Sequence, residues 1–124
     1  MRQRWVLPLP PELSSPSRAR TFLRRALDER HLDVDAVEIA LLLASELVTN
    51  AALHGRSELV VELTVDAAVV HVAVADENSR FPQPQPEDPD ALDGRGMALV
   101  DALAARHGIE VRPLGKAVWF ELDR

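Results

Sequence analysis

The sequence contains no cysteine, and this absence excludes disulfide bonds, thiolate metal sites and a cysteine nucleophile. Aromatic residues account for only 4% of the chain, so alanine, valine and leucine must form the hydrophobic core. Lysine is nearly absent as well, because Lys116 is the only one. The four histidines show no metal-ligand spacing and no serine lies in a nucleophile-elbow context, so metal or serine hydrolysis has little support.

Basic charge is also in short supply. Lysine and arginine together number 14, against 20 aspartates and glutamates, and the net charge is −6. A nucleic-acid-binding domain draws much of its affinity from neutralising phosphates, so an acidic chain without a basic stripe is not expected to bind DNA or RNA. Binding of a single nucleotide remains compatible with this charge, because a few local groups decide it.

We expect no hydrophobic segment long enough to span a membrane. No apolar run approaches the roughly 20 residues of a membrane span, and the first ten residues lack a signal-peptide apolar segment. The 124 residues fit one domain spanning 1–124. We therefore expect a cytoplasmic, single-domain protein without a membrane partner.

The apolar periodicity predicts three helices, over about 18–30, 33–53 and 97–106. Gly55 is expected to end the second helix, and Gly108 is expected to end the third.

Residues rich in β-branched side chains predict strands over 59–65 and 69–75, joined by a tight turn, and over 109–112 and 117–122. A short edge strand is expected at 5–7, closed off by prolines.

Between about 77 and 93, four prolines and several carboxylates oppose regular structure, which predicts a long functional loop or lid. The strands come as adjacent hairpins and not as alternating βα units. This order predicts an α+β fold, a two-layer sandwich with three helices on one face of a mixed, mostly antiparallel sheet.

The second predicted helix carries the first candidate for chemistry. It is apolar over most of its circumference and is therefore expected to be buried, yet Glu46 and Asn50 interrupt it four residues apart on one face. A metal ion could accept the amide oxygen, and the carboxylate could take a proton from an attacking hydroxyl. By spacing alone, a solvent-exposed face with Glu46 as an ordinary helix former is the simpler interpretation.

Two later segments could bind parts of a nucleotide. Asp76 ends a strand, where its carboxylate can accept a hydrogen bond from an exocyclic amine such as that of adenine, although a turn-starting aspartate is the simpler interpretation. Gly94, Arg95 and Gly96 open the third predicted helix, where free N–H groups and the arginine could bind phosphate. Two glycines that end a flexible loop would explain the same residues.

Taken in order, these segments resemble the three nucleotide-binding boxes of the GHKL (Bergerat-fold) ATPase and kinase superfamily. Residues 46–55 are similar to its N box, Asp76 with Pro82 to its G1 box, and residues 94–100 to its G2 box. The tail 115–121 is similar to the closing strand. The N box with its His-Gly end and the chain length resemble the small bacterial anti-sigma-factor serine kinases, the RsbW/SpoIIAB-like proteins.

The resemblance implies a role for each box. Asn50 would coordinate Mg²⁺ beside the triphosphate of ATP, Glu46 would be the general base, and Asp76 would bond the adenine amine. Residues 94–96, followed by Met97, would hold phosphates, and the proline-rich loop would be the ATP lid. Members of this group phosphorylate a serine of a STAS-type antagonist protein, sequester a sigma factor and commonly form homodimers.

The sequence departs from the family pattern at three positions. Asn78 and Arg80 stand where the G1 box usually has glycines, and Lys116 stands where the closing strand often has a threonine. We expect Arg80 and Arg95 to offset the acidic lid beside the triphosphate. These departures leave a second hypothesis open: a regulatory module that binds ATP without phosphotransfer, or binds no nucleotide. A sensor histidine kinase is a weaker alternative, because phosphoacceptor helices are missing.

Overall fold

The computed structural model describes residues 2–54, 57–77 and 92–124, with the backbone alone for 54 and 92–96. The chain alternates between a helical layer and a sheet, and its elements follow in the order β1 (Gln3–Leu9), α1 (Ser15–Asp28), α2 (Val34–His54), β2 (Leu59–Val65), β3 (Val69–Asp76), α3 (Leu92–Leu103), β4 (Arg106–Arg112) and β5 (Gly115–Asp123).

The strands form one sheet in the order β1-β2-β3-β5-β4, and all four neighbouring pairs are antiparallel. The predicted α+β sandwich is therefore confirmed, but the prediction of a mixed sheet was wrong for the described strands. After α3, the strand β4 does run in the same direction as β3. Because β5 inserts between β3 and β4, those two strands never pair.

The hydrophobic core lies between the sheet and α2, the central helix, which packs against α1, α3 and strands β2, β3 and β5. In the inner strands β2, β3 and β5, alternate residues point toward the helices, and most of their side chains are buried. The largest fully buried side chains from both layers are Leu9, Leu23, Leu27, Leu43, Val48, Leu59, Val61, Leu63, Val72, Val100 and Phe120. Aliphatic residues thus build the core, as the scarcity of aromatics requires.

By length and composition, the Val34–Leu53 part of α2 could also cross a membrane, contrary to the expectation from the sequence. Core helices of folded domains pass the same test. Its packing against α1, α3 and the sheet makes α2 the core helix of this sandwich, as its nearly all-round apolar character indicates.

The edge strand β1 is longer than the predicted 5–7 and includes Pro8, which pairs with Val60 of β2. A proline is tolerated there because only one side of an edge strand needs backbone donors. The tight turn between β2 and β3 is confirmed, with the carboxylate of Asp66 accepting the N–H groups of Ala68 and Val69 at 2.8 and 2.9 Å.

The third helix and the strand that follows differ from the prediction. Helix α3 begins at Leu92 and ends at Leu103, and β4 already begins at Arg106, so Gly108 lies inside a strand and does not end a helix. A Cβ atom at Gly108 would come within 2.9 Å of the Trp119 indole. The glycine is there because an aromatic ring packs on its backbone, a contact that the linear sequence does not display.

Candidate functional site

Asn50 is a buried polar residue near the C-terminal end of α2. It is 7% exposed, and neither Oδ1 nor Nδ2 has a hydrogen-bond partner among the residues that the structure describes. The neighbouring hydroxyls satisfy themselves within the helix, since Thr49 donates to the Ser45 carbonyl at 2.7 Å. An unsatisfied buried amide costs about 1–3 kcal/mol, so Asn50 is a group that a ligand or metal ion would stabilise.

Glu46 lies one turn before Asn50 on the same helix and is half-buried. The predicted juxtaposition of a carboxylate and an amide on one face of α2 is thus present in the fold. The simpler interpretation, in which this face is fully solvent-exposed, does not describe it.

Asp76 and Lys116 form an ion pair at one end of the sheet. They face each other across β3 and β5, and Lys116 Nζ donates to Asp76 Oδ1 at 3.2 Å and to Oδ2 at 3.4 Å. Their side chains are only 5% and 7% exposed. By strand alternation they share the helix-facing side of the sheet with Val74 and Val118, so the carboxylate points into the molecule and not into a surface turn.

The chain connections bring Asn50 to the same end of the sandwich. Helix α2 ends at His54, and β2 begins five residues later at Leu59. The start of β2 pairs with the end of β3, where Val60 faces Ala75. The Ser57 hydroxyl also accepts the N–H of Glu77 at 3.0 Å. The C-terminal part of α2 and the end of β3 therefore lie together.

The start of α3 points toward that end as well. Just beyond the end of α3, Ala105 donates its N–H to the Glu121 carbonyl at 2.8 Å, at the opposite end of β5 from Lys116. A helix of 12 residues spans about 18 Å, which matches the roughly 17 Å along β5 from Glu121 back to Lys116. Because α3 also packs against α2, its N-terminus returns toward the Asp76–Lys116 pair.

The predicted phosphate-binding residues occupy the first turns of α3. Gly94 is the third residue of the helix and Gly96 the fifth, so the N–H of Gly94 belongs to the first turn, which has no intrahelical acceptor. Met97 is half-buried and packs against the core. The binding roles of residues 94–97 stay predictions. Asn78, Arg80 and most of the expected lid lie outside the described residues.

Sequence reasoning missed the pairing of Lys116 with Asp76. It identified the lysine only as a departure from a family pattern. The signal that could have found it is the register between β3 and β5, but these strands are far apart in the chain, and no local turn sets their alignment.

The fold and the clustering of these residues agree with the comparison to known families. A family model for the histidine kinase-like ATPase domain matches residues 9–122. The chain belongs to the histidine kinase-like ATPase domain family. It is therefore an ATP-binding domain of the GHKL type. No curated protein matches the chain.

The residues of this GHKL domain fit a nucleotide with a divalent cation. The unpartnered amide of Asn50 offers a neutral oxygen of the kind that Mg²⁺ accepts, and Mg²⁺ characteristically takes few protein ligands together with substrate phosphates. The Asp76 carboxylate is an acceptor of the kind that an amine hydrogen needs, and in this structure it is bonded by Lys116. Asn50 would hold the metal ion, and Asp76 would hold the base.

Proposed function

We propose that this protein is an Mg-ATP-dependent serine kinase that also acts as an anti-sigma factor. Its substrate would be a serine of a STAS-type antagonist protein, and it would bind a sigma factor when that antagonist is absent. The observation that supports the kinase most directly is the buried amide of Asn50, which has no hydrogen-bond partner in the part of the chain that the structure describes. It lies one helical turn from the Glu46 carboxylate. This pairing provides a metal ligand and a base on one face of a rigid core helix.

In the proposed reaction, the serine oxygen forms a bond to the γ-phosphorus of ATP, and the bond between that phosphorus and the β,γ-bridging oxygen breaks to release ADP. Glu46 accepts the proton of the serine hydroxyl. Asn50 would hold Mg²⁺, which would supply positive charge beside the phosphates. Asp76 orients the nucleotide by accepting a hydrogen bond from the adenine amino group. The N-terminal turn of α3 binds phosphate through its free N–H groups.

A second candidate is an ATP-binding regulatory module without phosphotransfer. Two observations favour it: the Asp76 carboxylate is engaged by Lys116, and the G1 box has Asn78 and Arg80 in place of glycines. Both candidates share a cytoplasmic location, a sigma factor or another protein as partner, and a possible homodimer.

Nucleotide titration separates these candidates from a nucleotide-free module. We expect calorimetry to show ATP binding by the wild type that strengthens when Mg²⁺ is added, and Asp76→Asn to weaken it because the amide cannot accept as strongly as a carboxylate. No binding at millimolar nucleotide would remove both ATP-dependent candidates.

Phosphotransfer separates the kinase from the inactive module. The substrates tested are purified STAS-type proteins, each incubated with the wild type and γ-labelled ATP. Glu46→Gln should reduce transfer by about 100-fold or more and leave ATP affinity intact. Glu38→Gln is the matched control, since Glu38 is an exposed carboxylate on the same helix. Equal transfer by Glu46→Gln would remove Glu46 as the base.

A further inference from the structure

The hairpin that joins β4 to β5 leads into Lys116, but its tip has little apolar packing. Pro113 and Leu114 connect the two strands, and Leu114 is 75% exposed. Val111, which lies opposite Lys116 in the sheet, is 71% exposed. Burial of apolar area therefore contributes little to fixing the tip of this hairpin in place.

Arg112, the last residue of β4, anchors the tip from the outer face of the sheet, which is the side away from the helices. Its Nη1 and Nη2 donate to the two carboxylate oxygens of Glu62 on β2 at 2.8 and 3.0 Å, and its Nε donates to Glu110 at 2.9 Å. Two parallel bonds between a guanidinium and a carboxylate fix the direction of the side chain as well as its distance. The contact thus ties the tip of the hairpin to a strand that is not its neighbour in the sheet.

The anchored residue lies directly opposite the start of β5. Arg112 pairs with Gly115, and Lys116 follows Gly115 in the chain. Gly115 has φ of +128°, a conformation that side-chain-bearing residues rarely adopt, and a Cβ atom there would collide with the backbone of Asp76 and Glu77. The start of β5 therefore lies tightly against the end of β3, and a shift of the hairpin tip would move Lys116 relative to Asp76.

The Asp76–Lys116 pair is sensitive to such a shift. The Lys116 Nζ lies 3.2 and 3.4 Å from the two Asp76 carboxylate oxygens, and both side chains are almost fully buried. The attraction between two buried charges offsets their loss of hydration only when their geometry is good. An anchor that fixes the hairpin therefore also fixes the position of the Asp76 carboxylate.

We propose that Arg112 is a positioning residue for the nucleotide site. Its bonds to Glu62 hold the start of β5, so that Lys116 keeps the Asp76 carboxylate in place. The inference rests on the proposed binding of adenine at Asp76. Arg112 lies on the opposite side of the sheet from Asp76, so it acts through the backbone of the hairpin and not by contact with the nucleotide.

The ammonium of the only lysine in the chain reports this effect without nucleotide. Lysine labelled with ¹⁵N at Nζ gives one side-chain signal, which Arg112→Met should shift and broaden because the hairpin tip loses its anchor. Arg106→Met is the matched control. Arg106 forms ion pairs with Glu121 and Asp123 near the other end of β5, so its loss should leave the lysine signal in place.

Calorimetry with ATP tests the consequence for binding, under conditions where circular dichroism shows each variant to be folded. Arg112→Met should bind ATP about three- to tenfold more weakly than the wild type, as a residue that acts without touching the ligand predicts. Arg106→Met should bind ATP as the wild type does. Glu62→Gln should weaken binding as Arg112→Met does, and the double variant should weaken it no further, because the two residues act as one unit.

The outcomes separate this proposal from the proposed function. Wild type that binds no ATP overturns both. Wild type that binds ATP, with equal affinity in Arg112→Met or with a lysine signal that Arg112→Met leaves unchanged, overturns the positioning role alone. Equal losses in Arg112→Met and Arg106→Met would assign the effect to general weakening of the sheet and would also overturn it. Glu62→Gln supplies both measurements if Arg112→Met fails to fold.

Discussion

Arg112 on β4 and Glu62 on β2 are joined by a two-pronged ion pair across the outer face of the sheet, with β5 and β3 between them. The guanidinium Nη1 and Nη2 donate to the two carboxylate oxygens at 2.8 and 3.0 Å. The outward residues of the intervening strands include three buried alanines, Ala73, Ala75 and Ala117. These small side chains leave room for a long contact that joins the edge strand β4 to the inner strand β2.

We expect loss of this pair to destabilise the fold. Arg112→Met should lower the free energy of unfolding by about 2 kcal/mol, because Glu62, with a side chain 15% exposed, would lose its charged hydrogen-bond donors. Arg24→Met is the matched control, since the Arg24–Glu38 pair is about half exposed on both sides and should contribute less than about 0.5 kcal/mol. Urea denaturation measures both variants, and equal losses would contradict the expected difference.

The same pair should make stability depend on acid pH. The hydrogen bonds from Arg112 lower the pKa of the Glu62 carboxyl below its ordinary value of 4.5, and hydrogen bonds from Arg106 and His71 lower the pKa of Glu121. A carboxyl whose pKa is lower in the folded than in the unfolded chain stabilises the fold fully above the unfolded pKa and loses that contribution as pH falls through the folded pKa.

Unfolding free energy should therefore fall as pH drops below about 4.5. Urea titrations between neutral pH and pH 3 test this, and Glu62→Gln should flatten the decline because it removes one of the linked protons. A decline as steep in Glu62→Gln as in the wild type would assign the acid sensitivity to other groups.

Removing the Asn50 amide should weaken the binding of Mg-ATP while changing the stability of the fold little. Asn50→Ala removes a buried group that has no partner among the described residues, so its unfolding free energy should stay within about 1 kcal/mol of wild type. Its affinity for Mg-ATP should fall about tenfold or more. Val48→Ala is the opposite control, since Val48 is fully buried and should lose about 2 kcal/mol while keeping ATP affinity. A large stability loss in Asn50→Ala would show that the amide serves the fold.

Two glycine substitutions should have different consequences for the site. Gly115→Ala strains a backbone with φ of +128° and pushes β5 away from Asp76, so both stability and ATP affinity should fall, stability by about 2 kcal/mol. Gly108→Ala meets the Trp119 ring at 2.9 Å on the opposite face of the sheet. It should cost about 1–3 kcal/mol and leave ATP affinity unchanged.

Calorimetry with ATP and thermal unfolding measure both glycine variants. In a Trp5→Phe background, the fluorescence of Trp119 should respond to Gly108→Ala and not to Gly115→Ala. The added methyl group at position 108 would press on that indole, whose ring centroid lies 5.4 Å from that of His71. Weakened ATP binding by Gly108→Ala would show that a change on the outer face of the sheet also affects the nucleotide site on the helix-facing side.

Local chemistry explains why most elements were predictable. The limits of β2 and the start of α2 agree with their predictions to within a residue, because β-branched content and apolar periodicity are properties of neighbouring residues. The start of α3 was predicted several residues too late. Its first turns include two glycines, which disfavour helix on their own and are typical of the end of a loop. His107 follows the predicted end of that helix at about residue 106 but lies in β4, with Nε2 3.2 Å from the Asp101 carboxylate of α3.

By itself, the sequence determined the fold class, the burial of α2 and the chemical groups available for a nucleotide site, since each follows from composition, spacing and a family pattern. Tertiary structure alone decided that β5 enters between β3 and β4. That placement sets Lys116 against Asp76 and brings the ends of α2 and β3 together. Such pairings depend on strand register between segments remote in the chain, which long-range packing selects and local propensity does not encode.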